Sequence, residues 1–191
     1  MAKTKFSAFA CNCFIAFVFL LLSILWCKNF FSFTDPGSHV MLDGDPALNA
    51  WALSWVSKSL VSDWFNLLNG NAFYPHQASI TLSEHMTALA IFNLPVRLFT
   101  DNPWISYNFA ILCAYLLSAI GGYKLLTELT HSRLAGLWGG IFWAFCFFRV
   151  HHIGHLQILA YQWFPFVALY LIRTLNTVSY THLTLPTNRE V

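Results

Sequence analysis

Two aspartates stand one residue apart in the motif Asp43-Gly44-Asp45-Pro46, in a chain where 57% of residues are hydrophobic and only 9% are charged. Such a pair can bind a divalent cation, or one acid can serve as a general base. Asp45 precedes Pro46, a residue favoured at the start of a helix, so Asp45 is equally well explained as a helix cap. We therefore predict Asp43 and Asp45 as catalytic residues, with Asp43 the stronger candidate.

A second group of candidates comprises Arg149, His151, His152 and His155. Ionisable side chains close to a membrane are costly and are usually functional. If the stretch is one helix, His151 and His155 share a face, as do His152 and His155. We predict that Arg149, His152 and His155 bind a substrate phosphate. Whether Asp43, Asp45 or His155 also binds a metal ion stays open. The alternative is an interfacial loop whose histidines meet lipid headgroups.

A third group lies in Thr81-Leu82-Ser83-Glu84-His85. Glu84 and His85 are candidate substrate-binding residues. Thr81 and Glu84 also have the spacing of a capping box that opens the next helix, which would give both residues a structural role.

The elements that position these residues are predicted to be membrane helices. A mean hydropathy of +0.55 and 18% aromatic residues indicate an integral membrane protein in contact with lipid. The net charge of +2 is too small to indicate a nucleic-acid partner. The apolar runs predict an all-α membrane protein with about four transmembrane helices, at residues 6–27, 104–126, 134–148 and 158–172.

Residues 28–99 are predicted to form a long extracytoplasmic loop. Within it, residues 46–68 have the pattern of an amphipathic helix with tryptophans at the membrane surface, and residues 86–99 are too short to cross. Lys3 and Lys5 precede the first span, so the positive-inside rule predicts a cytoplasmic N-terminus. The same rule places the acidic motif and the histidine group together on the outer face.

Residues 178–191 break the membrane pattern and resemble the translated adapter tail found on truncated reading frames. We exclude these residues from the prediction of the fold, as one would exclude a segment left by cloning. Residues 1–177 are then expected to be the N-terminal part of the transmembrane domain of a longer protein.

Several short motifs together resemble a known membrane family. They are Asp43-Gly44-Asp45-Pro46, Asn49-Ala50-Trp51, Asn71-Ala72-Phe73-Tyr74-Pro75-His76, Ser83-Glu84-His85, Tyr107-Asn108, residues 129–133, Arg149, His155-Leu156-Gln157 and Gln162-Trp163-Phe164-Pro165. Their order is similar to that in the N-terminal part of bacterial multi-pass membrane proteins related to the GT-C glycosyltransferases, in the cytoplasmic membrane.

The resemblance implies a chemistry. In GT-C enzymes an acid of the first loop is the general base, and the donor is a polyprenyl-phosphate-linked sugar. Asp43 or Asp45 would then deprotonate an acceptor hydroxyl, with Arg149 and His155 near the donor phosphate. The alternative is a membrane transporter or cell-envelope assembly protein that binds a lipid or polysaccharide without catalysis. Charges gathered at one surface rather than at mid-span favour the enzyme.

Overall fold

The computed structural model describes residues 2–32, 34, 35, 37, 38 and 44–177, with the backbone alone for residues 2–8. Asp43 lies outside the described residues, as do residues 178–191. The α-helices are α1 (Ala2–Cys27), α2 (Asp45–Ser62), α3 (Thr87–Arg97), α4 (Pro103–Thr130), α5 (Arg133–Phe145), α6 (Phe147–His151), α7 (Leu156–Leu159) and α8 (Phe164–Thr177). Turns of 3-10 helix lie at Trp64–Asn66, Ser79–Leu82 and Tyr161–Trp163.

Four stretches of the described chain are long and apolar enough to cross a bilayer. They are Phe9–Cys27, Pro103–Thr130, Arg133–His151 and Leu156–Thr177. The prediction of an all-α membrane protein with about four transmembrane helices is confirmed, and the chain is a multi-pass membrane protein.

Helix α4 is the centre of the bundle, and α1, α2, α3, α5 and α8 all pack against it. Asn102 caps its N-terminus by accepting a hydrogen bond from the Trp104 backbone N–H at 2.9 Å. The contact between α4 and α5, which we call the α4–α5 seam, contains small residues, as is usual where membrane helices pack closely. A Cβ at Gly140 would lie 2.6 Å from the Ala119 carbonyl oxygen, so the two backbones are near contact.

The segment between α1 and α4 folds onto the N-terminal end of α4. Helix α2 ends at Ser62, earlier than the predicted residue 68, because Asp63 is extended with φ −157°. Helix α3 has 11 residues, a rise of about 16 Å that cannot cross a bilayer. This agrees with the prediction that residues 86–99 are too short to cross the membrane. The capping box was wrong, because the residue before α3 is Met86 and the Thr81 hydroxyl donates to the Ala78 carbonyl instead.

The segment after α5 is broken into short pieces. Cys146 is extended, with ψ 155°, and separates α5 from the five-residue α6. Helix α6 ends at His151, and His155 is the residue before α7. Residues 151–155 are therefore not one helix, so the condition under which His155 would share a face with His151 or with His152 is not met. The turn between the two short helices carries His155 toward α2.

Candidate functional site

The side chains of Asp45 and His155 contact each other at the end of the bundle where α4 begins. His155 Nε2 lies 3.0 Å from Asp45 Oδ2, and the two side chains remain 40% and 59% exposed respectively. Asp45 is the first residue of α2, where a carboxylate is favoured by the helix dipole. The residue before the helix is Gly44, at φ +74°, and no side chain of the described residues caps α2. Of the two roles that the sequence left open for Asp45, the structure does not show the helix cap, and the carboxylate is accessible at a polar contact.

A buried amide holds the same two segments together one helical turn further along α2. Asn49 is 2% exposed, and its Nδ2 donates to Gln157 Oε1 at 2.9 Å and to the Gly154 carbonyl at 3.4 Å. The Tyr107 hydroxyl of α4 donates to the same Gly154 carbonyl at 3.2 Å. Helices α2 and α4 together therefore fix the turn that carries His155.

Neither Asn49 nor Gln157 was predicted as a site residue. The available signal was the spacing: Asn49 follows Asp45 by one helical turn, so the two share a face of α2. A polar side chain at that position has to find a partner when the face is buried.

Glu84 is joined to this network, and His85 is not. Gln157 Nε2 lies 3.4 Å from Glu84 Oε1, and the Ser83 hydroxyl donates to Glu84 Oε2 at 2.9 Å. The hydrogen bond from Ser83 is the main reason why the pKa of Glu84 lies below its ordinary value. The His85 ring instead pairs with Thr87, its Nδ1 lying 2.7 Å from the Thr87 hydroxyl. The structure thus brings Glu84, but not His85, to the contacts around His155.

The three histidines lie side by side along the 151–155 segment. The His152 ring centroid is 5.4 Å from that of His151 and 5.5 Å from that of His155. In the part of the chain that the structure describes, the buried Nδ1 atoms of His152 and His155 have no hydrogen-bond partner. No group of three or more His, Cys, Asp or Glu side chains there is arranged to hold a metal. Asp45 and His155 supply two ligands at most, and metal binding stays a prediction.

Arg149 is buried deeper than the sequence predicted. It is 4% exposed, its Nη2 donates to the Ala114 carbonyl at 3.2 Å, and its guanidinium carbon lies 5.0 Å from the centroid of the Tyr115 ring. Ala114 and Tyr115 lie near the middle of α4, so Arg149 is at mid-helix rather than at the surface. The argument that all charges gather at one surface is therefore wrong for Arg149.

Arg149 also borders an apolar cavity of about 640 Å³ between α4, α5 and α8. Its other walls include Leu126, Gly139, Phe142, Trp143, Cys146, Phe148, Ile158, Tyr161 and Phe164. Among the described residues, no carboxylate lies within 4.0 Å of the guanidinium, and Nε has no partner. A buried cation without an anion is costly, so the cavity suits a ligand that joins a negative group to an apolar chain.

No protein-family model, curated protein or solved structure matches this chain. The fold and the site define a multi-pass membrane protein with an acid–histidine pair at one end of its bundle and a buried arginine beside an apolar cavity. Its chemistry has to be argued from these two features.

Proposed function

We propose that this chain takes part in glycosyl transfer, moving a sugar from a polyprenyl-phosphate donor to an acceptor hydroxyl at the extracytoplasmic face. The observation that carries the proposal is Arg149, a buried cation with no carboxylate partner in the described chain, on the wall of the 640 Å³ apolar cavity. A polyprenyl phosphate has the two properties this place requires, a negative group and a long apolar chain. The family resemblance supports the same donor.

The carboxylate of Asp45 supplies the base. It takes the proton of the acceptor hydroxyl while the acceptor oxygen forms a bond to the anomeric carbon of the sugar. The bond from that carbon to the phosphate oxygen breaks, and the phosphate leaves with the electron pair. Arg149 compensates the phosphate charge, and His155 holds Asp45 in place through the 3.0 Å contact. Asp43, which lies outside the described residues, remains the other candidate base.

The orientation is part of the proposal. Lys3 and Lys5 precede the first span, whereas Asp45 and His155 lie at the other end of the bundle. The positive-inside rule then places the N-terminus in the cytoplasm of a bacterium and the contact between Asp45 and His155 outside its cytoplasmic membrane.

A second candidate is a non-enzymatic transporter or cell-envelope assembly protein that binds a lipid or a polysaccharide. The depth of Arg149 favours it, because a charge at the middle of a span is typical of a transport or binding pathway. The exposed Asp45 carboxylate favours the enzyme, because binding a lipid at the cavity does not require a carboxylate at that position.

The first experiment measures binding to the purified chain in lipid nanodiscs. A photoreactive polyprenyl phosphate should label the wild type at least about tenfold more strongly than the matching neutral polyprenol, because charge-assisted hydrogen bonds contribute roughly 1.5–3 kcal/mol. Arg149→Gln should remove this preference and Arg149→Lys should keep part of it. Equal labelling by phosphate and alcohol in the wild type would contradict glycosyl transfer from a polyprenyl phosphate and also the lipid-binding form of the second candidate.

The second experiment separates the two candidates. Proteoliposomes are given tritiated polyprenyl-phosphate hexoses and an envelope extract as the source of acceptor. Glycosyl transfer is supported if the wild type consumes the donor and Asp45→Asn does not, while both proteins are labelled equally by the photoreactive lipid. Donor binding without consumption supports the non-enzymatic candidate.

A further inference from the structure

A second cavity, which is polar, lies at the opposite end of α4 from the contact between Asp45 and His155. Its volume is about 540 Å³, and it is bordered by the charged or titratable side chains Lys124, Glu128, His131, Arg133 and Arg173. The rise along α4 from Tyr107, which contacts the 154–157 turn, to Glu128 is about 31 Å at 1.5 Å per residue. This distance is close to the roughly 30 Å of a bilayer's hydrocarbon core, so the two ends of the bundle reach opposite membrane surfaces.

The cavity carries an excess of positive charge. Arg173 Nη2 pairs with Glu128 Oε2 at 2.7 Å. No carboxylate of the described chain lies within 4.0 Å of Lys124 or Arg133, and both side chains are exposed. One acid therefore faces three permanent cations, and two positive charges have no acidic neighbour. His131, at the end of α4, adds a further charge when it is protonated.

The residues next to the cavity are mainly apolar, and some of those on α8 face away from the helix bundle. Tyr123 and Leu169 form part of its inner wall, and Tyr170 is 58% exposed at its edge. Val167 and Leu171 continue this outward face of α8, at 62% and 56% exposure. A ligand for this place needs an anionic head at the membrane surface and an apolar tail that lies along α8.

We propose that this cavity binds the headgroup of an anionic phospholipid of the surrounding bilayer. Lys124 and Arg133 contact the lipid phosphate, and the acyl chains follow α8. Basic cavities between transmembrane helices at the cytoplasmic side are known to recognise anionic headgroups. This site is distinct from the polyprenyl-phosphate site and does not depend on the proposed glycosyl transfer, although its place at the cytoplasmic side rests on the proposed orientation.

The basic residues converge on one cavity, which the usual enrichment of Lys and Arg at the cytoplasmic side of a membrane protein does not require. The positive-inside bias requires only that basic residues be frequent near one surface. Here Lys124 comes from α4, Arg133 from the first turn of α5 and Arg173 from α8, and all three border one cavity. The positions are those of a binding site with a charge opposite to that of a lipid phosphate.

The test compares phosphatidylglycerol with phosphatidylcholine on the full chain. Native mass spectrometry after delipidation should show phosphatidylglycerol retained preferentially by the wild type. Lys124→Gln with Arg133→Gln should weaken its binding roughly 30-fold, from the usual contribution of a basic residue near an anionic lipid. The matched control, Lys28→Gln with Lys58→Gln, removes the same charge from exposed positions after α1 and in α2, and should leave the preference intact.

Three results would overturn the proposal. The first is a wild type that retains both lipids equally, which needs no variant and holds even if the double variant fails to fold. The second is an equal loss in the control pair, which would assign the effect to net charge. The third is full competition by soluble glycerol phosphate at the same concentration, which would make the cavity a site for free anions rather than for a lipid.

Discussion

His155 Nε2 lies 3.0 Å from Asp45 Oδ2, so the first turn of α2 is tied to the residue that precedes α7. One turn further along α2, Asn49 donates to the carbonyl of Gly154 and to the side chain of Gln157. The exposed contact and the buried contact lie on the same face of one helix. We therefore expect substitutions at the two positions to separate function from stability.

Asp45→Asn should reduce turnover and leave the fold in place. The side chains of Asp45 and His155 are 59% and 40% exposed, so the contribution of their contact to the free energy of unfolding is at most about 1 kcal/mol. Removing a general base typically lowers the rate about 10²- to 10⁴-fold. Donor consumption in proteoliposomes and thermal unfolding of the purified chain measure the two effects.

Asp101→Asn is the matched control for Asp45→Asn. Asp101 is also an exposed acid in an ion pair, with its Oδ1 2.8 Å from Arg97 Nη2. Its loss should leave turnover unchanged. Equal turnover in the wild type and in Asp45→Asn would show that the Asp45 carboxylate is not the base.

Asn49→Ala should destabilise the fold. The substitution removes the donor of the Gln157 side-chain oxygen and one of the two donors of the Gly154 carbonyl, which keeps the Tyr107 hydroxyl, so the cost is that of the lost hydrogen bonds, about 0.5–1.5 kcal/mol each. The expected result is a clear fall in the midpoint of thermal unfolding. Asn66→Ala is the control, because Asn66 makes an exposed hydrogen bond to Asp63 three residues away. Similar falls in both variants would contradict a specific role for Asn49.

The sequence was sufficient to predict the helices because their signals are local. A run of apolar residues long enough to cross a bilayer is visible without knowledge of its partners, as in the first span and in α4. The short α3 was also predictable, because 11 residues cannot reach across the membrane whatever they contact. Residue type and chain length decide these cases.

The candidate site was less predictable because it depends on contacts between distant segments. Pro46 next to Asp45 is a local signal for a cap, yet the Asp45 side chain pairs with His155 instead. The helix break after Phe145 is not marked by a proline or a glycine, so the sequence left open whether the histidine segment is one helix. The depth of Arg149 follows from its bond to the Ala114 carbonyl, which no spacing along the chain reveals.

Acidification should loosen the contacts of Glu84. The Ser83 hydroxyl lowers the pKa of Glu84 in the folded state from its ordinary 4.5. Since the folded pKa is depressed, the stabilisation is present above pH 4.5 and is lost as the pH falls through the folded pKa. Glu84→Gln has no such group to titrate, so its unfolding midpoint should change less than that of the wild type between pH 6 and pH 3, a window of roughly ±1.5 around the ordinary pKa of glutamate. Parallel pH profiles would contradict the assignment.

Gly140→Ala should disrupt the α4–α5 seam. The new Cβ would lie 2.6 Å from both the Ala119 carbonyl oxygen and the Phe19 ring, and the carbonyl belongs to a helix backbone that cannot move alone. Overpacking of this kind costs about 1–3 kcal/mol. Thermal unfolding in detergent should therefore show a clear fall in the midpoint of Gly140→Ala relative to the wild type. Equal midpoints in the variant and the wild type would mean that the helices at the seam can separate at little cost.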